Sequence, residues 1–109
     1  MPHTGYTIFN GASGEGYPFD IYTRGSDLDS TGGVYIFVNK KNCLERSSEV
    51  PCDPILIGET DDLSELDENC ECLNEHGADL LCVLVENNED QRRKIYDDIS
   101  EEYQDVPCE

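Results

Sequence analysis

At 109 residues the chain has room for one domain with a single modest core, too short for two independent ones. Its 25 acidic residues against 7 basic ones give a formal charge of -18, the wrong sign for binding nucleic acid or an anionic membrane surface, where Lys and Arg release condensed counterions. The 37% apolar fraction argues for a folded protein, and self-repulsion should make it salt-sensitive.

In chain order, residues 6–10 and 17–23 are short β-rich runs, and Gly11-Ala12-Ser13-Gly14-Glu15-Gly16 between them supplies the glycines of a hairpin connection. An N-terminal β-hairpin within residues 1–24 is the expectation. A polar stretch follows, 25–32. From 33 to 39 the residues are β-branched and aromatic, with Val34, Ile36 and Val38 on one face and Tyr35 and Phe37 on the other. This predicts a strand buried on both sides. A polar loop, 39–53, carries Lys40 and Lys41 and leads into a second strand, 54–59.

Leu63, Leu66, Cys70 and Leu73 then recur at spacings of three, four and three, the stripe of an amphipathic helix over 61–76 with Gly77 as its C-cap. The outer face of that helix, Asp62, Glu65, Asp67, Glu68, Glu71 and Glu75, is acidic without interruption. Leu80 to Val85 is a continuous apolar run of strand length, read as the central strand of the sheet. Asn87 or Asn88 can cap a last helix over 89–103, with Ile95, Ile99 and Tyr103 as its buried stripe and Pro107 ending it. The order β, β, β, β, α, β, α predicts an α+β fold, a small mixed or antiparallel sheet packed against two main helices. One domain spans 1–109, with 1–24 as the hairpin and 33–109 as the core.

Cys43, Cys52, Cys70, Cys72, Cys82 and Cys108 are even in number, as a disulfide framework would have them, but three fall inside helix or core-strand patterns. Reduced thiols serving as small core residues are the expectation. With no apolar run of membrane-spanning length and no signal-peptide pattern, so is a cytosolic location. Metal ligation is not expected. Cys70 and Cys72, two apart on a helix, point to nearly opposite sides, and His3 and His76 stand alone.

Gly33-Val34-Tyr35, a second strand ending in Leu56-Ile57-Gly58, Glu59-Thr60 and Asp62-Leu63 in the next turn, and then a helix resemble the GIY-YIG endonuclease superfamily. The small single-domain bacterial and phage members are the more similar ones. The Ser-Gly turn of the hairpin, His76-Gly77-Ala78 and the terminal Pro107-Cys108 extend the resemblance over nearly the whole chain. It implies a scaffold that cleaves phosphodiesters with a divalent metal held by a glutamate on the last helix, assisted by two tyrosines and an arginine, with water as nucleophile. Such chemistry needs a carboxylate for the metal, a cation for the charge gathering on phosphate and a phenol to activate water.

Tyr35 matches the first tyrosine, but Leu56 replaces the second. Leu66 falls where the arginine is expected, and Tyr96 where the metal glutamate is expected. The asparagine that often follows the Pro-Cys pair is Glu109. Slippage by one turn would bring Asp97 or Asp98 into the metal role, and Glu65 lies beside Leu66. On the direct alignment Tyr35 is vestigial, no metal or cofactor is expected, and two losses of this kind silence an enzyme.

The acidity is concentrated. Residues 59–109 carry 18 acids and 3 bases, net -15, whereas 1–58 carry 7 acids and 4 bases, net -3. Arg92-Arg93-Lys94 is read as counter-charge for neighbouring acids ahead of a phosphate site. A DNA-handling frame with no working site and an acidic surface points to a protein partner. The reading is an inhibitor that mimics DNA and occupies the groove of a basic nucleic-acid-binding protein, a nuclease or CRISPR effector subunit, as phage anti-defence proteins do in the host cytoplasm. The residues that would face the partner are Asp61, Asp62, Glu65, Asp67, Glu68, Glu71, Glu75, Asp97, Asp98, Glu101 and Glu102. Two other readings stay open: an active metal-dependent nuclease, and a halophile's domain whose acidity is solvent adaptation.

Overall fold

The computed structural model describes residues 3–23, 28–39, 54–66, 71–104, 106 and 108. Strands β1 (His3–Asn10) and β2 (Gly16–Thr23) form the N-terminal hairpin, paired antiparallel from His3 opposite Tyr22 to Asn10 opposite Gly16. Strands β3 (Gly33–Val38), β4 (Pro54–Thr60) and β5 (Leu80–Val85) complete one five-stranded antiparallel sheet in the order β1-β2-β5-β3-β4. The apolar run 80–85 therefore sits in the middle, as its composition predicts, and joins the hairpin to the rest through β2.

Alternation along each strand divides the core between the two faces of the sheet. Val34, Ile36 and Val38 of β3 and Leu80 and Cys82 of β5 pack with Phe9, Phe19 and Ile99 on one side. Phe37, Leu81 and Val83 pack with Leu63, Leu73 and Cys108 on the other. A bulge between Phe37 and Val38 breaks the β3–β4 register, so that Pro54 opposes Val38 and Leu56 opposes Phe37. The skipped Ile55 joins Leu56 on the second face, which strict alternation forbids.

Helix α2 (Glu89–Glu102) covers the first face. Asn88 is its N-cap, accepting from the Gln91 N–H through Oδ1 at 3.1 Å, and Ile95, Ile99 and Tyr103 form the buried stripe as expected. The first predicted helix is different. Asp62 caps a single 3₁₀ turn, Leu63–Glu65, and Leu66 leaves it in extended backbone at φ -60, ψ 131. Helix α1 is the short Glu71–Glu75, closed by Gly77 at φ +68. A continuous helix over 61–76 is thus corrected to a turn, a break and a short helix. The reason is local: the Asp62 carboxylate takes Ser64 N–H and Oγ–H, at 3.0 and 2.5 Å, and closes the turn, while acids at 61, 62 and 65 oppose helical continuation through like-charge repulsion.

The loop 40–53 with Lys40, Lys41, Cys43 and Cys52 lies outside the described residues, as do Asp67, Glu68, Cys70, Pro107 and Glu109. Among the described residues no helix is long and apolar enough to cross a membrane.

Candidate functional site

The two signature strands lie side by side, and Tyr35 on β3 stands opposite Gly58 on β4. Its ring lies over that glycine: a Cβ at 58 would fall 2.4 Å from the Tyr35 Cζ and hydroxyl oxygen, so any larger residue would displace the ring. Leu56 is opposite Phe37. Tyr35, Leu56 and Leu66 are all partly buried against the second face. All three serve as packing residues against the same cluster.

Tyr96 comes from α2 and is near enough to the Tyr35 phenol to add to the effect of burial in raising its pKa. It projects against the first face, beside a cavity of about 260 Å³ lined also by Ile57, Ser100, Tyr103, Gln104, Val106 and Cys108. The Tyr35 phenol has its pKa raised, first by burial, then by Tyr96 and by Glu59. That holds the proton on Tyr35, opposite to what a water-activating base requires.

An ion pair that sequence reasoning missed lies between the last helix and β4. Arg92 Nε donates to Glu59 Oε1 at 2.6 Å, with Arg92 only 5% exposed. The guanidinium passes over Gly32, where a Cβ would approach Arg92 Nη1 to 2.5 Å. Gly32 in turn donates its N–H to Asn87 Oδ1 at 2.8 Å and accepts from the Glu86 N–H at 2.9 Å. One signal was available: Arg92 lies three residues before Ile95 and seven before Ile99, on the buried stripe. Arg93 is the local counter-charge expected, pairing with Glu89 one turn back at 3.1 Å.

No family model, curated protein or solved structure matches the chain. The residues themselves therefore carry the functional reading.

Of the expected partner-facing acids, Asp61, Glu65, Glu71, Glu75, Asp97, Glu101 and Glu102 are exposed, and Asp67 and Glu68 lie outside the described residues. Asp62 is half-buried, and its carboxyl is held low by the Ser64 hydroxyl above all. The neighbouring Glu65 is pushed up by its hydrogen bond to Asp62 and by the Asp62 and Asp61 charges. Three carboxylates thus crowd one turn.

Asp98, also in the partner-facing set, is half-buried and has its carboxylate engaged within the fold. It accepts from Ser13 N at 2.9 Å, Ser13 Oγ at 2.6 Å and the Tyr17 hydroxyl at 2.7 Å. Its own carbonyl takes the Ala12 N–H at 2.9 Å. These bonds hold its pKa below the usual carboxylate range, with Ser13 the largest cause. Its role is to fasten the hairpin turn to α2.

The cysteines require a second correction. Cys72 on α1 and Cys108 are joined in a disulfide, where reduced core thiols were expected. The C-terminal segment reaches β4 by an isolated parallel bridge between Leu56 and Cys108, with Cys108 N donating to the Ile55 carbonyl at 3.0 Å, and this sets Cys108 against α1. Cys82 keeps the expected role: it is buried and free, and burial pushes its thiol up to about 12. Nor does His76 stand alone, since its ring and the sulfurs of Cys72 and Cys108 lie within 4.8 Å of one another.

Proposed function

We propose that the chain is a catalytically inactive, GIY-YIG-like acidic protein that inhibits a basic nucleic-acid-binding protein by DNA mimicry. The partner is a nuclease or CRISPR effector subunit, met in the host cytoplasm by a phage-encoded protein. The observation that carries the reading is the crowding of Asp61, Asp62 and Glu65 in one surface turn, where the hydrogen bond to Asp62, and then the Asp62 and Asp61 charges, push the Glu65 carboxyl up. Such crowding costs stability. It is useful where a cationic groove supplies the missing counter-charge, and two of the three basic residues of the acidic half, Arg92 and Arg93, are already committed to Glu59 and Glu89.

The inactivity follows from Leu66 and Tyr96, which offer neither a cation for phosphate nor a carboxylate for metal. It is supported by the packing of Tyr35 over Gly58 and its raised pKa.

The immobilised protein should capture purified CRISPR effector nucleases, with binding weakened by salt and competed by duplex DNA, because charge steers the encounter. Replacing Asp61, Asp62 and Glu65 together by Asn, Asn and Gln should weaken capture by at least tenfold, an expectation scaled to about 0.5–1 kcal/mol per charge lost at a rim. Capture indifferent to DNA and to these substitutions would overturn the mimicry. DNA cleavage with Mg²⁺ that Tyr35→Phe abolishes would overturn the inactivity.

A further inference from the structure

We infer that Cys72, His76 and Cys108 form a zinc site when the Cys72–Cys108 disulfide is reduced, so that one clamp on the C-terminal segment exists in two redox forms. Cys72 and His76 are one helical turn apart, and His76 N donates to the Cys72 carbonyl at 3.2 Å. That i, i+4 relation puts both side chains on one face. The third donor, Cys108, comes from the segment docked along β4. The three donor atoms already lie within 4.8 Å of one another.

Two thiolates and an imidazole are a donor set that selects Zn²⁺ among common divalent ions. Tetrahedral zinc with Zn–S of about 2.3 Å and Zn–N of about 2.0 Å sets its donors roughly 3.5–3.8 Å apart. Once the S–S bond is broken, side-chain rotation of the two cysteines meets that spacing. His76 is exposed, so the fourth position faces solvent and takes water.

The chemistry balances in two steps. A dithiol reductant supplies two electrons and two protons, leaves as its own disulfide and yields two cysteine thiols. Zn²⁺ then replaces the two thiol protons, which go to solvent, and accepts the neutral imidazole. In a reducing compartment, where a disulfide does not persist, zinc would keep the C-terminal segment on β4.

The test is a Co²⁺ titration of the full chain, reduced with a phosphine and kept anaerobic, followed by thiolate-to-cobalt charge-transfer absorption and by displacement with Zn²⁺. The expected result is one Co²⁺ per chain in the reduced protein and no such absorption in the oxidised protein. His76→Ala should weaken Co²⁺ binding by at least about tenfold, a ligand being worth no less than a second-shell partner, and Cys108→Ser should weaken it further. His76 makes its structural contact through the backbone, so His76→Ala should leave the melting of the oxidised protein unchanged. Co²⁺ affinity unaltered in both variants would assign the metal to other cysteines and overturn the inference. Equal binding by the oxidised chain, or none by the reduced chain, would also overturn it.

Discussion

Arg92 on α2 pairs with Glu59 on β4 across 33 residues of sequence, and the two members of the pair are unequally buried, with side-chain exposures of 6% and 25%. The inequality has an energetic consequence. Glu59 left alone can recover water, whereas Arg92 left alone is a buried cation without a partner. Glu59→Ala should therefore cost roughly 3–4 kcal/mol in urea unfolding and Arg92→Met only about 1–2 kcal/mol. The double variant should lie well short of the sum, because the second substitution removes what the first left unpaired. Equal costs for the two single variants would mean that hydration does not separate them.

The Asp98 bonds predict a pH dependence at both extremes. Asp98 has its folded pKa below the ordinary 3.8, so its contribution is present above that value and is lost as pH falls through the lower folded one. Tyr17 is raised from 10.0 to about 12, by burial first and the Asp98 hydrogen bond second, so its contribution is complete below pH 10 and is lost as pH rises through 12. In Asp98→Asn the acid-side dependence should shrink. The ultraviolet titration of Tyr17 should move back toward 10 without reaching it, since burial remains. A Cβ at Gly11 would lie 2.1 Å from Asp98 Oδ2, so Gly11→Ala should lower the melting temperature by the same mechanism. Combined with Asp98→Ala it should add little, because the side-chain atoms that the new Cβ would strike are then gone.

The parts of this fold that sequence showed are those governed by neighbours along the chain. Alternation in β3, the apolar run of β5 and the Asn88 cap of α2 each depend on a few adjacent residues, and each is found where expected. The helix predicted over 61–76 failed because Leu63, Leu66 and Leu73 satisfy an apolar stripe equally well from a turn and a short helix. What decided between these was the Asp62 to Ser64 bonding and the repulsion among acids. Arg92 was on the stripe of α2 but read as counter-charge for neighbouring acids, because its partner Glu59 is recognisable only once β4 lies under the helix. The disulfide had no local signal, since Cys108 meets Cys72, 36 residues away, through a single bridge to Leu56.

Reduction should expose how much that link stabilises. Closing a loop of 36 residues removes about 3–4 kcal/mol of unfolded-state entropy on the chain-entropy account. The metal-free reduced chain should accordingly unfold at lower urea than the oxidised one, with the change removed in Cys72→Ser/Cys108→Ser. A reduced chain as stable as the oxidised one in the presence of a chelator would show that the segment is held by packing of Val106 and Cys108 alone.

Ionic strength separates repulsion from salt adaptation. A charge of -18 on 109 residues opposes compaction, and screening acts over a Debye length that falls from about 30 Å at 0.01 M to about 8 Å at 0.15 M salt. If simple repulsion among exposed carboxylates governs, the melting temperature should rise steeply up to roughly 0.15 M NaCl and then level off, because the many carboxylate pairs more than about 8 Å apart are by then largely screened. A halophile's domain would instead keep gaining stability into molar salt. The levelling also bears on the inhibitor reading, since the carboxylates that repel one another at low salt are those a cationic groove would neutralise. Their capture of a basic partner should fade over the same range in which the free protein becomes more stable.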